Sequence, residues 1–280
     1  MKNIHVSKII ESVKDCCIKA NYYLTEDVKQ KIISAKEQEK YPLAKEVLGD
    51  IEENFKIAEK GVLPLCQDTG MTCVFIEIGQ DVHIEGGSLE AAINEGVRQG
   101  YAEGYLRKSV VADPLFRNNT GDNTPAIINY EIKEGDKLRI LIAPKGFGSE
   151  NMSAIKMLKP SDGVEGVKEF IINTVKEAGP NPCPPIIVGV GIGGTFERAA
   201  LLSKKALLRN LNESNSNEYY KTLEEELLEK INSLGIGPQG FGGRHTALKV
   251  NIENYPTHIA GLPVAVNISC HSLRHHEIIL

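Results

Sequence analysis

The stretch Pro185-Ile-Ile-Val188-Gly189-Val-Gly191-Ile-Gly193-Gly194-Thr195 decides the fold class. It reads as a short buried strand running into glycines, with Thr195 opening a helix over about 195–209. Its glycine spacing satisfies G-x-G-x-x-G, the signature of a dinucleotide-binding βαβ unit. Such a unit also needs an acidic residue about 20 positions further on, at the end of a second strand. That place is taken by Arg209-Asn-Leu-Asn-Glu-Ser-Asn215, a polar loop that follows a helix, so the unit is incomplete. The glycines then read as points of close packing, and dinucleotide binding is the weaker reading.

Working outward, the sequence mixes helices and strands without strict βαβ order. Residues 210–217 form a polar loop, and 218–233 read as a charged helix whose Glu224-Glu225-Glu226 run marks a solvated face. Strands are expected near 246–252 and 262–268, followed by a frayed tail, although His271 and His275 stand four apart and could hold a metal. Upstream, helices are expected near 153–158 and 164–178. Two strands near 125–131 and 138–143 are joined by the turn Glu134-Gly-Asp136. A helix capped by Ser88 and a strand over 71–78 precede them, and the first sixty residues read as helices. The expected class is therefore α+β. A helical segment (1–60) is followed by a core of mixed sheets with flanking helices (61–280), all as one domain.

Composition narrows the function. The 280 residues are 41% hydrophobic and 25% charged, enough for a core without disulfide staples. A net charge of -5 disfavours a nucleic-acid partner, because phosphate binding needs a dense basic face. No apolar window of about 18 residues and no signal core occurs, so a cytoplasmic, non-membrane protein is expected. In a reducing compartment the six cysteines are expected to be core residues, ligands or reactive thiols.

Four loops are richer in Gly, Pro and polar groups than connection alone requires. Pro64-Leu-Cys66-Gln67-Asp68-Thr69-Gly70 places a thiol beside an amide and a carboxylate. Lys145-Gly-Phe-Gly148-Ser149-Glu150-Asn151 is a glycine-hinged approach to a helix. Asn181-Pro-Cys183-Pro-Pro185 presents a thiol between prolines that stiffen the backbone. In the fourth, a strand that follows His258 delivers Cys270 and His271 at its end. Three cysteines in three distant loops match neither zinc-finger nor ferredoxin spacing. Three thiolates around a four-iron cluster would leave one iron without a protein ligand, a Lewis acid for a hydroxyl and a carboxylate. Ordinary buried or exposed thiols are the alternative. Cys16 and Cys17, in the first helix, and Cys73, within a strand, read as core residues.

These loops, together with Leu106-Arg107-Lys108-Ser109, Asn119-Thr-Gly-Asp-Asn-Thr-Pro125 and Gly235-Ile-Gly-Pro-Gln-Gly-Phe-Gly-Gly243, resemble the alpha subunit, or N-terminal domain, of class I fumarases and L-tartrate dehydratases. The resemblance keeps the order of the motifs from about residue 60 to 270. It implies that Cys66, Cys183 and Cys270 ligate a [4Fe-4S] cluster with one iron free of protein ligands. It further implies that Gln67, Asp68, Arg107, Gly148 and His258 contact a dicarboxylate. Arg107 suits a carboxylate through paired hydrogen bonds, His258 would donate to the same dianion, and Asp68 would relay a proton to the departing hydroxyl. The implied reaction adds water to, or removes it from, a 2-hydroxy dicarboxylate. The expected pair is (S)-malate and fumarate, with L-tartrate as the alternative.

Single-chain family members carry a second domain that supplies the base for the carbon-bound proton, and this sequence has none, so a separate beta subunit is expected to complete the site. The rival from another class is a non-catalytic iron–sulfur protein. It would need a fourth cysteine, and Cys73 sits in mid-strand.

Overall fold

The computed structural model describes all 280 residues and is α+β. The chain divides into two compact units, each interrupted in sequence. Unit 1 comprises Met1–Thr25, Asn54–Phe147 and Arg274–Leu280, and unit 2 comprises Glu26–Glu53 and Gly148–Leu273. The expected helical segment is thus shared. After a short strand β1 (Lys2–His5), helix α1 (Val6–Tyr22) belongs to unit 1 and α2 (Glu26–Gln38) to unit 2, while α3 (Pro42–Ala58) runs from unit 2 into unit 1.

In unit 1 the central strand is β2 (Met71–Gly79), the β-branched and aromatic run expected. A short strand β3 (Val82–Glu85) pairs in parallel with β1. Helix α4 (Leu89–Glu103) starts at Ser88, whose hydroxyl accepts from the Ala91 N–H at 3.4 Å. Strands β4 (Ile127–Lys133) and β5 (Leu138–Lys145) do not pair with each other as a hairpin would. They flank β2, β4 in parallel and β5 antiparallel. The reason is packing: β2 buries Val74 and Ile76 and takes the centre, whereas β4 is half exposed and suits an edge. Ile9, Val13 and Cys17 of α1 and Ile93, Val97 and Tyr101 of α4 are fully buried in one core with Ile140 and Ile142. Each such aliphatic chain stabilises by roughly 1.5–3 kcal/mol. The helices cross closely because Gly96 and Gly100 lack a Cβ, which would lie 2.7 Å from the Ile10 carbonyl oxygen and 2.8 Å from Cys17 Cβ.

In unit 2 the four-stranded sheet has the order β6-β9-β7-β8, where β6 is Ala154–Leu158, β7 Ile186–Gly193, β8 Ala247–Tyr255 and β9 Leu262–Ser269. Residues 154–158 were expected to be helical and instead pair antiparallel with β9. Six residues before Pro160 are too few to nucleate a stable helix, and the edge of a sheet is open to them. Between α5 (Phe147–Glu150) and β7 lies α6 (Gly163–Ala178). Helices α7 (Phe196–Ala206) and α8 (Glu218–Asn232) follow β7. All eight residues of β7 are buried, and its two faces differ. Ile186, Val188 and Val190 join a core with Val167, Ile171 and Val175 of α6 and Leu223, Leu227 and Ile231 of α8. The opposite face is Ile187 followed by glycines, and a Cβ on Gly189 or Gly191 would lie 2.2 Å from the Ser203 carbonyl oxygen or 2.1 Å from that of Ala199. The G-x-G-x-x-G pattern therefore serves the close seat of α7 on the strand.

Two further expectations are corrected. Glu224 is buried, not solvated, and pairs with Arg209 at 2.5 Å. The tail is not frayed: β10 (His276–Ile279) pairs antiparallel with β5 as the far edge of the unit 1 sheet.

Candidate active site

Strand register places the functional loops. In unit 1, Met71 lies opposite Lys145, so the start of β2 and the end of β5 leave the sheet at the same end. The 66–70 turn and the Gly146–Phe147 segment are thereby adjacent. Asp68 joins them: its Oδ1 accepts from the Gly70 N–H at 3.0 Å and its Oδ2 from the Phe147 N–H at 2.9 Å. Gly70 has φ 77°, and a Cβ there would be 2.7 Å from the Lys145 backbone, so only glycine closes this turn. Three buried donors hold its carbonyls from below. Tyr101 Oη donates to Thr69 O at 2.8 Å and Gly70 O at 3.0 Å, Asn123 Nδ2 donates to Gly70 O at 3.2 Å, and Arg274 donates to Asp68 O. Burial pushes the Tyr101 phenol well up, which keeps it a donor. Thr69 Oγ1 donates to the Arg107 carbonyl at 3.0 Å and brings the 106–109 loop alongside. Gln67 and Arg107 are exposed, and the Arg107 side chain takes part in no hydrogen bond or ion pair. That guanidinium is available to a carboxylate.

Unit 2 repeats this logic. Antiparallel pairing sets Ile187 opposite Ser269, so the start of β7 and the end of β9 lie at one end of the sheet, and Cys183 and Cys270 leave it together. His271 Nδ1 is 3.0 Å from the Cys183 carbonyl oxygen, to which it donates. Gln239, in the glycine-rich 235–243 loop, donates through Nε2 to the Pro184 carbonyl at 2.9 Å and through its backbone N–H at 2.8 Å. Cys183 takes a left-handed conformation (φ 56°), which costs a non-glycine residue roughly 1–2 kcal/mol, and these hydrogen bonds hold it there. The 235–245 loop is anchored in turn by Glu39, whose carboxylate accepts from Arg244 N at 2.8 Å and His245 Nδ1 at 2.9 Å. Gly148 is exposed on α5.

His258 is placed differently. It sits beyond the start of β9, whereas Cys270 follows its end, so the strand separates them by about 24 Å at ~3.4 Å per residue. Its Nδ1 accepts from the Ala260 N–H at 3.2 Å, so the proton is on Nε2, which is exposed and can donate outward.

None of the six cysteines is disulfide-bonded, and they fall into two sets. Cys16, Cys17 and Cys73 are buried in unit 1, and burial pushes the Cys16 thiol up to about 11 and that of Cys17 further still. Cys66, Cys183 and Cys270 are the three that solvent reaches, and each stands on one of the motif loops. Cys66 belongs to unit 1 and the other two to unit 2, and within neither unit do three His, Cys, Asp or Glu side chains gather as metal ligands. Accessible thiols on rigid turns are the donor chemistry that an iron–sulfur cluster takes.

Sequence reasoning passed over Tyr101 and Arg274, which hold the Cys66 turn, and named His271 as a possible metal ligand, whereas it holds the Cys183 turn. Gln239 and Asn123 lie inside quoted motifs, so position alone could have pointed to them. Nothing in the sequence marks Tyr101 or Arg274.

Comparison with known proteins identifies the family. A protein of Methanocaldococcus jannaschii, provisionally assigned as an L(+)-tartrate dehydratase subunit alpha, is 48% identical over 270 residues, covering 94% of each chain. The L(+)-tartrate dehydratase alpha subunits of Escherichia coli strain K12 and Shigella boydii serotype 4 are 31% identical over 268 residues, covering 95% of this chain and 88% of theirs. No helix is long and apolar enough to cross a membrane. The family model described as fumarate hydratase (Fumerase) matches residues 10–279, and the chain belongs to that hydro-lyase family.

Proposed function

We propose that the chain is the alpha subunit of a [4Fe-4S]-dependent hydro-lyase that interconverts a 2-hydroxy dicarboxylate and its unsaturated acid. One observation carries this: the three solvent-reached cysteines are the three on the family's motif loops, while the other three are buried. Cys66, Cys183 and Cys270 are the proposed ligands. When bound, a cluster with one iron free of protein ligands supplies a Lewis acid for the substrate's hydroxyl and carboxylate.

The remaining steps are assigned to protein groups. Arg107, exposed and without a partner, binds a substrate carboxylate through its planar fork. Gln67 donates to the substrate from the same turn, and Gly148 lets the backbone come close. Asp68 handles the oxygen-side proton. Each carboxylate oxygen accepts one backbone N–H, which fixes its plane and leaves lone pairs for a proton. His258 offers Nε2–H to a carboxylate, and its reach to the dianion depends on the assembled enzyme. The carbon-side proton is assigned to a beta subunit, which the "subunit alpha" names of the relatives support.

The family description favours (S)-malate and fumarate, and the relatives' names favour L(+)-tartrate as the second reading. The test is anaerobic co-production with a beta-type chain, with iron and sulfide quantified and malate, L(+)-tartrate and methylmalate assayed in parallel. Roughly four irons and four sulfides per alpha chain, with turnover of one of these acids, is the expected result. A complex without iron and sulfide, or one that turns over none of them, refutes the reading.

A further inference from the structure

Arg274 is the one buried arginine in unit 1, and the mechanism above does not use it. It is 4% exposed, two residues before β10 and four after Cys270. Its guanidinium donates to the carbonyl oxygen of Asp68, its Nε has no hydrogen-bond partner, and no carboxylate pairs with it. The neighbouring donors, Tyr101 and Asn123, are neutral and also buried. A guanidinium stays charged at any working pH, and an ion taken out of water without a counter-charge is costly. Elsewhere in the chain the same residue type is satisfied differently: the partly buried Arg209 is paired with Glu224 and Glu253. The arginine beneath the 66–70 turn therefore has a backbone carbonyl and no anion of its own chain.

We propose that Arg274 is a positioning residue of the candidate site, a buried cation that fixes the Cys66-Gln67-Asp68 turn through the Asp68 carbonyl and offsets the negative charge of a thiolate-bound cluster held at that turn. The inference rests on the function proposed above. It differs from a purely structural role in one respect: the charge matters, and not only the hydrogen bond. Glutamine at this position can still donate to a carbonyl but carries no charge, whereas lysine keeps the charge with a different shape. Local positive charge raises the reduction potential of an iron–sulfur centre, and its removal lowers it.

The experiment uses the alpha chain with its beta-type partner, produced without oxygen, as parent, Arg274→Gln and Arg274→Lys. Three quantities are read: iron and sulfide per chain, reduction potential by electron paramagnetic resonance titration, and the thermal midpoint of the metal-free chain. The parent holds iron and sulfide. Arg274→Lys keeps the parental potential and full iron. Arg274→Gln shifts the potential negative and retains less iron after oxygen exposure, with a thermal midpoint matching that of Arg274→Lys. A parental potential in Arg274→Gln, or an equal shift in both variants, overturns the proposal. If Arg274→Gln does not fold, the lysine variant alone decides, and a shifted potential there overturns it. A parent without iron and sulfide defeats the functional reading itself, an outcome distinct from any failure confined to the variants.

Discussion

Replacing Glu39 by glutamine should destabilise unit 2 in a way that depends on pH. The carboxylate is buried and takes four donors. Oε1 accepts from Lys40 N at 2.9 Å and Tyr41 N at 3.0 Å, and Oε2 from Arg244 N at 2.8 Å and His245 Nδ1 at 2.9 Å. Burial pushes this carboxyl up, but the bonds from Tyr41, His245, Arg244 and Lys40 outweigh it and lower it from 4.5 to about 2. That lowering corresponds to about 3 kcal/mol of stability at neutral pH. In Glu39→Gln one oxygen becomes an NH2 that faces two N–H donors, so the variant loses those bonds as well as the charge. Because the carboxyl is lowered in the folded state, its contribution is complete above pH 4.5 and is lost as pH falls toward 2. Urea unfolding at pH 7 should show the variant less stable by ~3 kcal/mol, and the gap should shrink to about half by pH 3. A variant within about 0.5 kcal/mol of the parent at pH 7, or a gap that widens in acid, refutes the reasoning.

Other outcomes are equally checkable. Cys66→Ser, Cys183→Ser and Cys270→Ser should each lose cluster iron after anaerobic reconstitution, whereas Cys73→Ser, buried within β2, should keep it; the reverse pattern sinks the ligand assignment. In the metal-free chain at pH 8, iodoacetamide should modify Cys183, Cys66 and Cys270 by peptide mapping, and leave Cys16 and Cys17, whose thiols burial holds up, untouched. Arg107→Ala should lower kcat/KM about 100-fold or more with little change in thermal midpoint, because its side chain is exposed and makes no hydrogen bond or ion pair within the protein. An unchanged kcat/KM would remove Arg107 from the substrate site.

Much of this was legible in the sequence because local chemistry dictated it. The β-branched run 71–78, the Ser88 cap and the glycine-rich strand at 186–193 each carry their own signal. The three loop cysteines carry a weaker signal: their spacing matches no zinc-finger or ferredoxin pattern, and only the family resemblance singles them out as ligands. What escaped was decided by distant partners. Residues 154–158 are helix formers by propensity and became a strand because β9 offered an edge. Glu224 looked solvated beside two other glutamates until Arg209, Asn215 and the Ile252 N–H converged on it. Arg274 sits in a histidine-rich stretch that reads as a tail, and its meaning depends on a carbonyl more than two hundred residues earlier. His258 is a different case: the strand expected between it and Cys270 is present as β9 and spans about 24 Å, so their closeness in sequence is not closeness in space.

The interleaving of the two units has a consequence for biogenesis. Unit 1 begins at the first residue but receives Arg274 and its edge strand only after the whole of unit 2 has been translated. A nascent chain halted at Leu273 would present Cys66 on a turn with no guanidinium beneath it, while the β7–β9 pairing that aligns Cys183 and Cys270 would already be available. With the proposed cluster at that turn, truncations before Arg274 that spare every cysteine should hold iron and sulfide less firmly than the longer chain.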